Sequence, residues 1–156
     1  MPPAVQNGKK VSRQERQERQ GRKDSEMVED EIGKEVVDSA VQVHRELGHG
    51  PLETVYEAVL AHELRKRGLG VDRQVAIALE YRGLKFEEGF RADLLIENKV
   101  IVELKCVEKL NNAHKKQLLT YLRLADLRLG YLLNFGAPLM RDGITRIAHR
   151  CRDSIL

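Results

Sequence analysis

Two carboxylates and an amine, those of Asp93, Glu103 and Lys105, are spaced so that they could form one site. If the segments on either side of Asn98 are antiparallel strands, Asp93 lies directly opposite Glu103. Opposed residues on one face have Cβ atoms about 4.5–5.5 Å apart, so two like charges there repel each other unless something offsets the repulsion. Side chains alternate along a strand, which places Lys105 on the same face as Glu103. The pattern predicts an acidic pair beside an amine, with a divalent cation as the natural offset.

Such a set of groups suits the hydrolysis of a phosphodiester with the help of Mg²⁺ or Mn²⁺. Proteins usually hold Mg²⁺ through one or two carboxylates, water and substrate phosphate. Asp93 and Glu103 could supply the carboxylates, and the backbone carbonyl of Leu104 could supply a further oxygen. Lys105 would position or help deprotonate the attacking water and stabilise the negative charge of the transition state.

A plain ion-pair cluster is the alternative interpretation of the same residues. A Glu-x-Lys triplet arises by chance in many chains, because charged residues make up about a quarter of ordinary sequences. Lys105 and Arg91 could neutralise both acids at the surface without a metal ion. The apolar residues that flank the acids argue against a merely solvated surface.

Periodicity predicts the elements that would position these groups. Apolar residues at three- and four-residue intervals predict helices at about 27–47, 52–67 and 111–125. The second helix is expected to bury Val55, Val59, Leu60 and Leu64. Alternating or continuous apolar residues predict strands at 71–81, 84–97, 100–107, 128–135 and 144–148. The strand after the third helix must return by a crossover, so this order predicts an α/β protein with a mixed sheet.

Length and charge predict one domain preceded by an arm. The chain has 156 residues, enough for a single domain with its own core. Residues 1–25 contain few apolar side chains and an excess of Lys and Arg, so we expect a flexible basic arm there and one domain over 26–156. The rest of the chain is close to neutral, which excludes a globally basic nucleic-acid-binding body. Attraction to phosphate must therefore come from a local patch, a metal ion or the arm.

Cysteine spacing and hydropathy indicate which bound metals, cross-links and cellular locations to expect. Cys106 and Cys151 lack the spacing of a zinc site or of a disulfide framework. The N-terminus lacks the apolar core of a signal peptide, and no stretch approaches the length of a membrane span. We therefore expect a cytoplasmic protein that acts without a membrane.

A family resemblance covers most of the chain. The run from Gly50 to Tyr56 resembles the signature of the GxxExxY proteins, a bacterial and archaeal family assigned to the PD-(D/E)XK nuclease superfamily. The resemblance extends from about residue 30 to residue 149 and includes the stretch from Phe90 to Lys105. It also includes the helix with His114, Gln117 and Tyr121 and the Leu-Leu-Asn-Phe-Gly segment near residue 135.

The resemblance implies a restriction-endonuclease-like sandwich, with a mixed central sheet flanked by helices. It matches Asp93 to the metal-binding Asp of the superfamily and Glu103 and Lys105 to its ExK motif. Glu53 matches the acidic residue that many members carry on the helix before the sheet, where it would serve catalysis and the metal. Gln117 and Tyr121 match a QxxxY pattern of some nuclease branches. One departure is Ala92, since the superfamily usually has Pro before the Asp.

The residues outside the acidic pair have ordinary explanations as well. A carboxylate near a helix start, as at Glu53, is favoured by the unpaired N–H groups and the helix dipole. His114, Gln117 and Tyr121 recur at three and four residues and so share a helix face. Such a polar stripe is usually exposed to solvent, but beside an acidic pair it could bind phosphate or the leaving strand.

Two functions follow from these observations. The first is a metal-dependent nuclease that acts on DNA, or less favourably on RNA, through Asp93, Glu103 and Lys105. The second is a catalytically silent module of nuclease fold that binds nucleic acid or protein. The intact Asp, Glu and Lys favour the enzyme, and the nearly neutral body favours the module. The nearly neutral body also leaves room for a homodimer, which small nucleases of this class often form to reach both strands of a duplex.

Overall fold

The structure is a computed structural model and describes residues 27–150. The arm predicted for residues 1–25 lies outside the described residues, so its prediction stays untested. The elements are α1 (Glu29–Leu47), α2 (Glu53–Lys66), β1 (Val71–Tyr81), β2 (Leu84–Ile96), β3 (Val100–Lys105), α3 (Asn112–Ala125), β4 (Leu129–Asn134) and β5 (Ile144–Ala148). A short 3₁₀ helix at Met140–Gly143, which the apolar pattern does not predict, precedes β5.

One mixed sheet organises the described residues. Its five strands lie in the order β1-β2-β3-β4-β5. The β3–β4 pair is parallel and the other neighbours are antiparallel. Because parallel neighbours need a crossover connection, α3 must pass over the sheet between β3 and β4. The predicted crossover and the predicted mixed sheet are both confirmed.

Helices cover both faces of this sheet. On one face, α1 and α2 pack against the apolar side chains of β3, with Ile32, Leu60 and Val102 fully buried. On the other face, Leu118 and Leu122 of α3 pack against Ile101. The central strand β3 is therefore buried on both sides, as expected of a strand covered by two helix layers. The predicted fold class, an α/β sandwich, is confirmed.

The buried face of α2 differs from the predicted one. Leu60 and Leu64 are fully buried as expected, but Val55 is 41% exposed. The face that meets the core is rotated toward Tyr56 and Glu57, because the Tyr56 ring stacks on Phe135 with 4.5 Å between ring centroids. This rotation places a carboxylate, that of Glu57, inside the protein.

None of the helices within residues 27–150 combines the length and the apolar character that crossing a bilayer requires.

Candidate active site

The β2–β3 hairpin positions the two central carboxylates. Leu94 pairs with Val102, so the next residues along the two strands are Asp93 and Glu103. This is the predicted register. Three residues, 97–99, separate the paired residues Ile96 and Val100, and Glu97 and Asn98 have φ values of 51° and 55°, in the left-handed region that tight hairpin turns use.

Each carboxylate is bonded to the backbone of the opposite strand. The Asp93 N–H donates to Glu103 Oε1 at 3.0 Å, and the Leu104 N–H donates to Asp93 Oδ2 at 2.9 Å. These bonds hold the two carboxyl groups close together at the point where the β2–β3 ladder ends. The Leu104 carbonyl as a metal ligand stays a prediction.

Burial and charge act strongly on Glu103. Its residue is only 5% exposed. Burial first, and then the negative charge of Asp93, raise the pKa of Glu103 from its ordinary 4.5 to about 9, although the hydrogen bond from the Asp93 N–H and the positive charge of Lys105 oppose the rise. Two carboxyl groups this close do not both ionise readily without a positive partner. The pair therefore has the electrostatic character of a cation site.

Lys105 ends β3 beside the acidic pair. Its positive charge favours the ionised forms of Glu103 and Glu53. None of the ion pairs within residues 27–150 includes Lys105. Arg91, which could have neutralised the acids, instead pairs with Glu88, with 2.5 Å between Nε and Oε1. Neutralisation of both acids by Lys105 and Arg91 is therefore not what the structure shows.

Glu53 approaches the same cluster from α2. It is the first residue of that helix. Burial raises the pKa of Glu53 and Asp93 raises it further, whereas Lys105 and the Cys106 backbone N–H lower it. These interactions place Glu53 within electrostatic reach of Asp93 and Lys105. The helix dipole also favours a carboxylate at this position. Glu53 can therefore stabilise the start of α2 and contribute to the site at the same time.

Tyr121 reaches the acids from α3. The residue is 5% exposed, and its ring packs against Phe90 with 4.9 Å between centroids. Burial raises the pKa of Tyr121, and the charges of Glu103 and Asp93 raise it further. Solvent exposure, the ordinary explanation for the polar stripe, is therefore wrong for Tyr121.

His114 and Gln117 have different surroundings from Tyr121. The His114 N–H donates to Asn111 Oδ1 at 3.0 Å, and His114 Nδ1 accepts from the Asn111 N–H at 3.2 Å. This reciprocal pair is a helix N-cap, so His114 has a structural task. Gln117 is exposed. Among the described hydrogen bonds, none connects His114 or Gln117 to the acidic pair.

The structure adds Gln74 and Glu57, which sequence patterns do not single out. Gln74 Nε2 donates to Asp93 Oδ1 at 3.3 Å and to Glu57 Oε2 at 2.9 Å. Glu57 lies four residues after Glu53 on α2, and this helical spacing is the only signal that could have suggested it. Nothing in the alternating pattern of β1 separates Gln74 from its polar neighbours.

The described residues fit a metal ion only through the acidic pair. Within residues 27–150, no group of three or more His, Cys, Asp and Glu side chains is arranged to hold a metal ion. Glu53 therefore does not complete a three-carboxylate cluster with Asp93 and Glu103. Mg²⁺ needs only one or two protein carboxylates, because water and substrate phosphate fill its other positions. The adjacent carboxyl groups of Asp93 and Glu103 fit that requirement.

Fold and site together define a class: an α/β protein whose central hairpin presents an Asp, a Glu and a Lys together. A sequence model of the PD-(D/E)XK nuclease superfamily matches residues 30–147. The match covers well over half of the chain, and the chain belongs to this superfamily. Membership suggests nuclease activity. A search of curated proteins and a search of solved structures each found no significant match.

Proposed function

We propose that this protein is a metal-dependent nuclease that hydrolyses phosphodiester bonds of DNA, with RNA as the less favoured substrate. The proposal rests on one observation above the others, the reciprocal bonding that brings Asp93 and Glu103 together. The pair is acidic, it is largely buried at Glu103, and it lies next to Lys105, which is the combination that phosphate hydrolysis with a cation requires. Superfamily membership supports the same chemistry.

Asp93 and Glu103 would hold Mg²⁺ or Mn²⁺, with the Leu104 carbonyl as a further ligand. Glu53, which forms no three-carboxylate group with them, would act on the metal through a bound water. A bound divalent ion supplies Lewis-acid polarisation of the phosphate and lowers the pKa of a bound water. The hydrogen bonds from Asp93 N–H and Leu104 N–H fix the two carboxylates in advance. Preorganisation of this kind avoids the cost of orienting the groups during the reaction.

Lys105 stabilises charge in this proposal. Its ammonium group lies on the face that carries Glu103, where it orients the attacking water. It also attracts the negative charge that develops on the phosphate oxygens. Lys105 can serve in this way because its charge is not used in an ion pair among the described residues.

The α3 side chains would bind the substrate. Tyr121 is closest to the acidic pair by its electrostatics, and its hydroxyl would donate to a phosphate oxygen. Gln117 and His114 follow at helical spacing toward the N-terminus of α3 and would contact the leaving strand. For His114, this task would have to be compatible with its cap on Asn111.

Metal binding and cleavage test the proposal together. Calorimetry with Mg²⁺ and Mn²⁺ should detect binding that is lost in Asp93→Ala. Purified protein should cut single-stranded DNA, double-stranded DNA or RNA only when the metal is present. Activity that survives both Asp93→Ala and Lys105→Ala would indicate a contaminating nuclease and would contradict the assignment of the site.

A catalytically silent module is the second candidate. The observation that favours it is the lack, within residues 27–150, of any three-ligand group for a metal. In that case Asp93, Glu103 and Lys105 would be structural, and the protein would bind nucleic acid or a protein partner without cutting. Nucleic-acid binding that is unaffected by chelator, with no cleavage under any metal, would favour the module.

Several finer assignments accompany the proposal. We infer GxxExxY membership from the run Gly50–Tyr56, in which Gly50 has φ 114° and the Tyr56 hydroxyl donates to the Gly48 carbonyl. A flexible basic arm at 1–25, a single domain at 26–156 and a cytoplasmic location stay predictions. So does a homodimer, which sedimentation analysis of the purified protein would test directly.

A further inference from the structure

The amide of Gln74 lies between two carboxylates. Its Nε2 atom is 2.9 Å from Glu57 Oε2 and 3.3 Å from Asp93 Oδ1. Because ionised carboxylates only accept hydrogen bonds, the amide nitrogen must face both of them. Each of its two N–H groups then serves one acid. Gln74 therefore connects the candidate metal ligand Asp93 to a second, deeper carboxylate.

The Glu57 carboxylate is held in place by burial and by two hydrogen-bond partners. It is only 4% exposed and belongs to α2, whereas Gln74 belongs to β1. Arg73 Nε donates to Glu57 Oε1 at 3.2 Å, so the carboxylate is bonded through both oxygens. A buried carboxylate that is paired with a guanidinium and an amide has little freedom to move.

The backbone at Gln74 supports a special role for the residue. Arg73 pairs with Leu94 and Val75 pairs with Ala92, so Gln74 lies opposite Asp93 on the neighbouring strand. Gln74 has φ 52°, in the left-handed region that residues other than Gly, Asn and Asp rarely adopt. Strained backbone of this kind persists only where the surroundings hold it, and it is concentrated at functional sites.

We propose that Gln74 is a positioning residue that, together with Glu57, orients the Asp93 carboxylate for the cation. This inference rests on the proposed metal-dependent nuclease function. Asp93 Oδ2 is held by the Leu104 N–H and Oδ1 by Gln74. A carboxylate oxygen that accepts one hydrogen bond keeps a second lone pair for a metal ion. Partners that fix a ligand in this way typically contribute strongly to metal affinity.

Two substitutions separate positioning from a purely structural role. Gln74→Gly removes the amide and also relieves the left-handed backbone, because Gly adopts positive φ without a steric penalty. Gln74→Met keeps the side-chain length without the donors. We expect both variants to bind Mn²⁺ about 10- to 100-fold more weakly by calorimetry. The matched control is Gln42→Met on α1, where Gln42 bonds to Glu46 outside the site, and its Mn²⁺ affinity should stay unchanged.

A readout without metal keeps the inference separate from the nuclease proposal. The Leu104 N–H reports on Asp93 because it donates to Asp93 Oδ2. In metal-free Gln74→Gly, we expect the Leu104 amide resonance to move and its hydrogen exchange to accelerate, while the Val102 amide in the same strand stays constant.

The outcomes distinguish a failure of the Gln74 positioning role from a failure of the nuclease proposal. An unchanged Leu104 amide together with wild-type Mn²⁺ affinity in Gln74→Gly would overturn the positioning role even if the protein is an active nuclease. A wild-type protein that binds no metal would end the nuclease proposal and the metal-directed part of the inference. A changed Leu104 amide would still establish that Gln74 orients Asp93.

Discussion

At the scale of single residues, burial of the carboxyl groups determines how readily the acids of this site ionise. Glu103 is buried next to Asp93, and neither has a guanidinium partner within the part of the chain that the structure describes. Repulsion between the two carboxylates is a cost to folding that a cation or a proton relieves. The site is therefore expected to couple stability to both pH and metal.

The first prediction concerns pH and Glu103. Its pKa is raised from 4.5 to about 9 in the folded protein, so between these values the folded state binds more protons than the unfolded state. Stability from this group is fully present below the unfolded pKa and is lost as pH rises through the folded pKa, by at most about 1.4 kcal/mol per pH unit. In chelator, Glu103→Gln should therefore gain stability relative to wild type between pH 5 and pH 8, measured by urea unfolding.

Glu87→Gln supplies the control for this experiment, because Glu87 is an exposed carboxylate elsewhere on β2. Its unfolding free energy should follow that of wild type at both pH values. Parallel pH profiles for Glu103→Gln and wild type would show that Glu103 carries no raised pKa. Added Mg²⁺ should stabilise wild type at pH 8 and leave Glu103→Gln nearly unaffected.

The second prediction separates metal binding from chemistry at Lys105. Lys105→Met removes the ammonium group and keeps most of the side-chain length, so we expect cleavage to fall by about 10²- to 10³-fold. Metal affinity, which depends on Asp93 and Glu103, should change much less. Single-turnover cleavage and calorimetry on the same preparation measure the two effects. Lys66→Met, an exposed position at the end of α2, should retain wild-type cleavage.

At the scale of elements, one face of α3 contributes side chains both to the core and to the candidate site. Leu118, Tyr121 and Leu122 are all buried there. The Tyr121 ring packs against Phe90 of β2, and burial and the charges of Glu103 and Asp93 raise the pKa of its hydroxyl. The N-terminal turn of the helix is capped by Asn111 and His114. Packing therefore decides where the hydroxyl of Tyr121 lies, and a substitution can change the packing and the hydroxyl separately.

The third prediction uses this separation. Tyr121→Phe keeps the ring against Phe90 and loses only the hydroxyl, so its stability should stay within about 1 kcal/mol of wild type. Tyr121→Ala removes the ring and should cost about 3–5 kcal/mol. If the hydroxyl contacts the substrate phosphate, Tyr121→Phe should show a clear loss of cleavage although its denaturant midpoint is nearly unchanged. Wild-type cleavage in Tyr121→Phe would assign Tyr121 to the core alone.

At the scale of the whole molecule, close packing of the α1 layer on the sheet leaves little room for change. Gly33 faces the sheet at the point where a methyl group would overlap the Tyr131 hydroxyl of β4. Tyr131 is itself 5% exposed and has little space to move. A glycine inside a helix is normally unfavourable, so its presence here is explained by contact between the layers.

The fourth prediction follows from that contact. Ala at a helix interior normally stabilises by about 0.5–1 kcal/mol relative to Gly. At Gly33 the overlap should reverse the sign, and Gly33→Ala should destabilise the protein by about 1–3 kcal/mol in urea unfolding. Lys34→Ala, at the exposed neighbouring position, should be close to neutral. A stabilised Gly33→Ala would show that α1 lies farther from β4 than the structure indicates.

Local patterns in the sequence were enough to predict the three α-helices, the five strands and the central hairpin, although not the short 3₁₀ helix at Met140–Gly143. Periods of two and of three to four residues come from backbone geometry that each segment carries by itself. For this reason the strands about Asn98, the facing of Asp93 and Glu103, and the order of helices and strands could be predicted from residues close together in the chain. The register is set by the same alternation, because a slip of one residue would exchange the two faces of β3 and turn Glu103 into the apolar face that holds Val102 and Leu104.

The tertiary structure alone decided which distant groups meet these acids. Gln74 is 19 residues from Asp93 and 17 from Glu57, separations that no local period encodes. Rotation of α2, set by the stacking of Tyr56 on Phe135, buried Glu57 and exposed Val55. Packing of the Tyr121 ring on Phe90 of β2 holds Tyr121 within electrostatic reach of Asp93 and Glu103. His114 instead caps the N-terminus of α3 through its hydrogen bonds with Asn111. Side-chain packing between layers, which depends on the whole core at once, is the physical reason for each of these results.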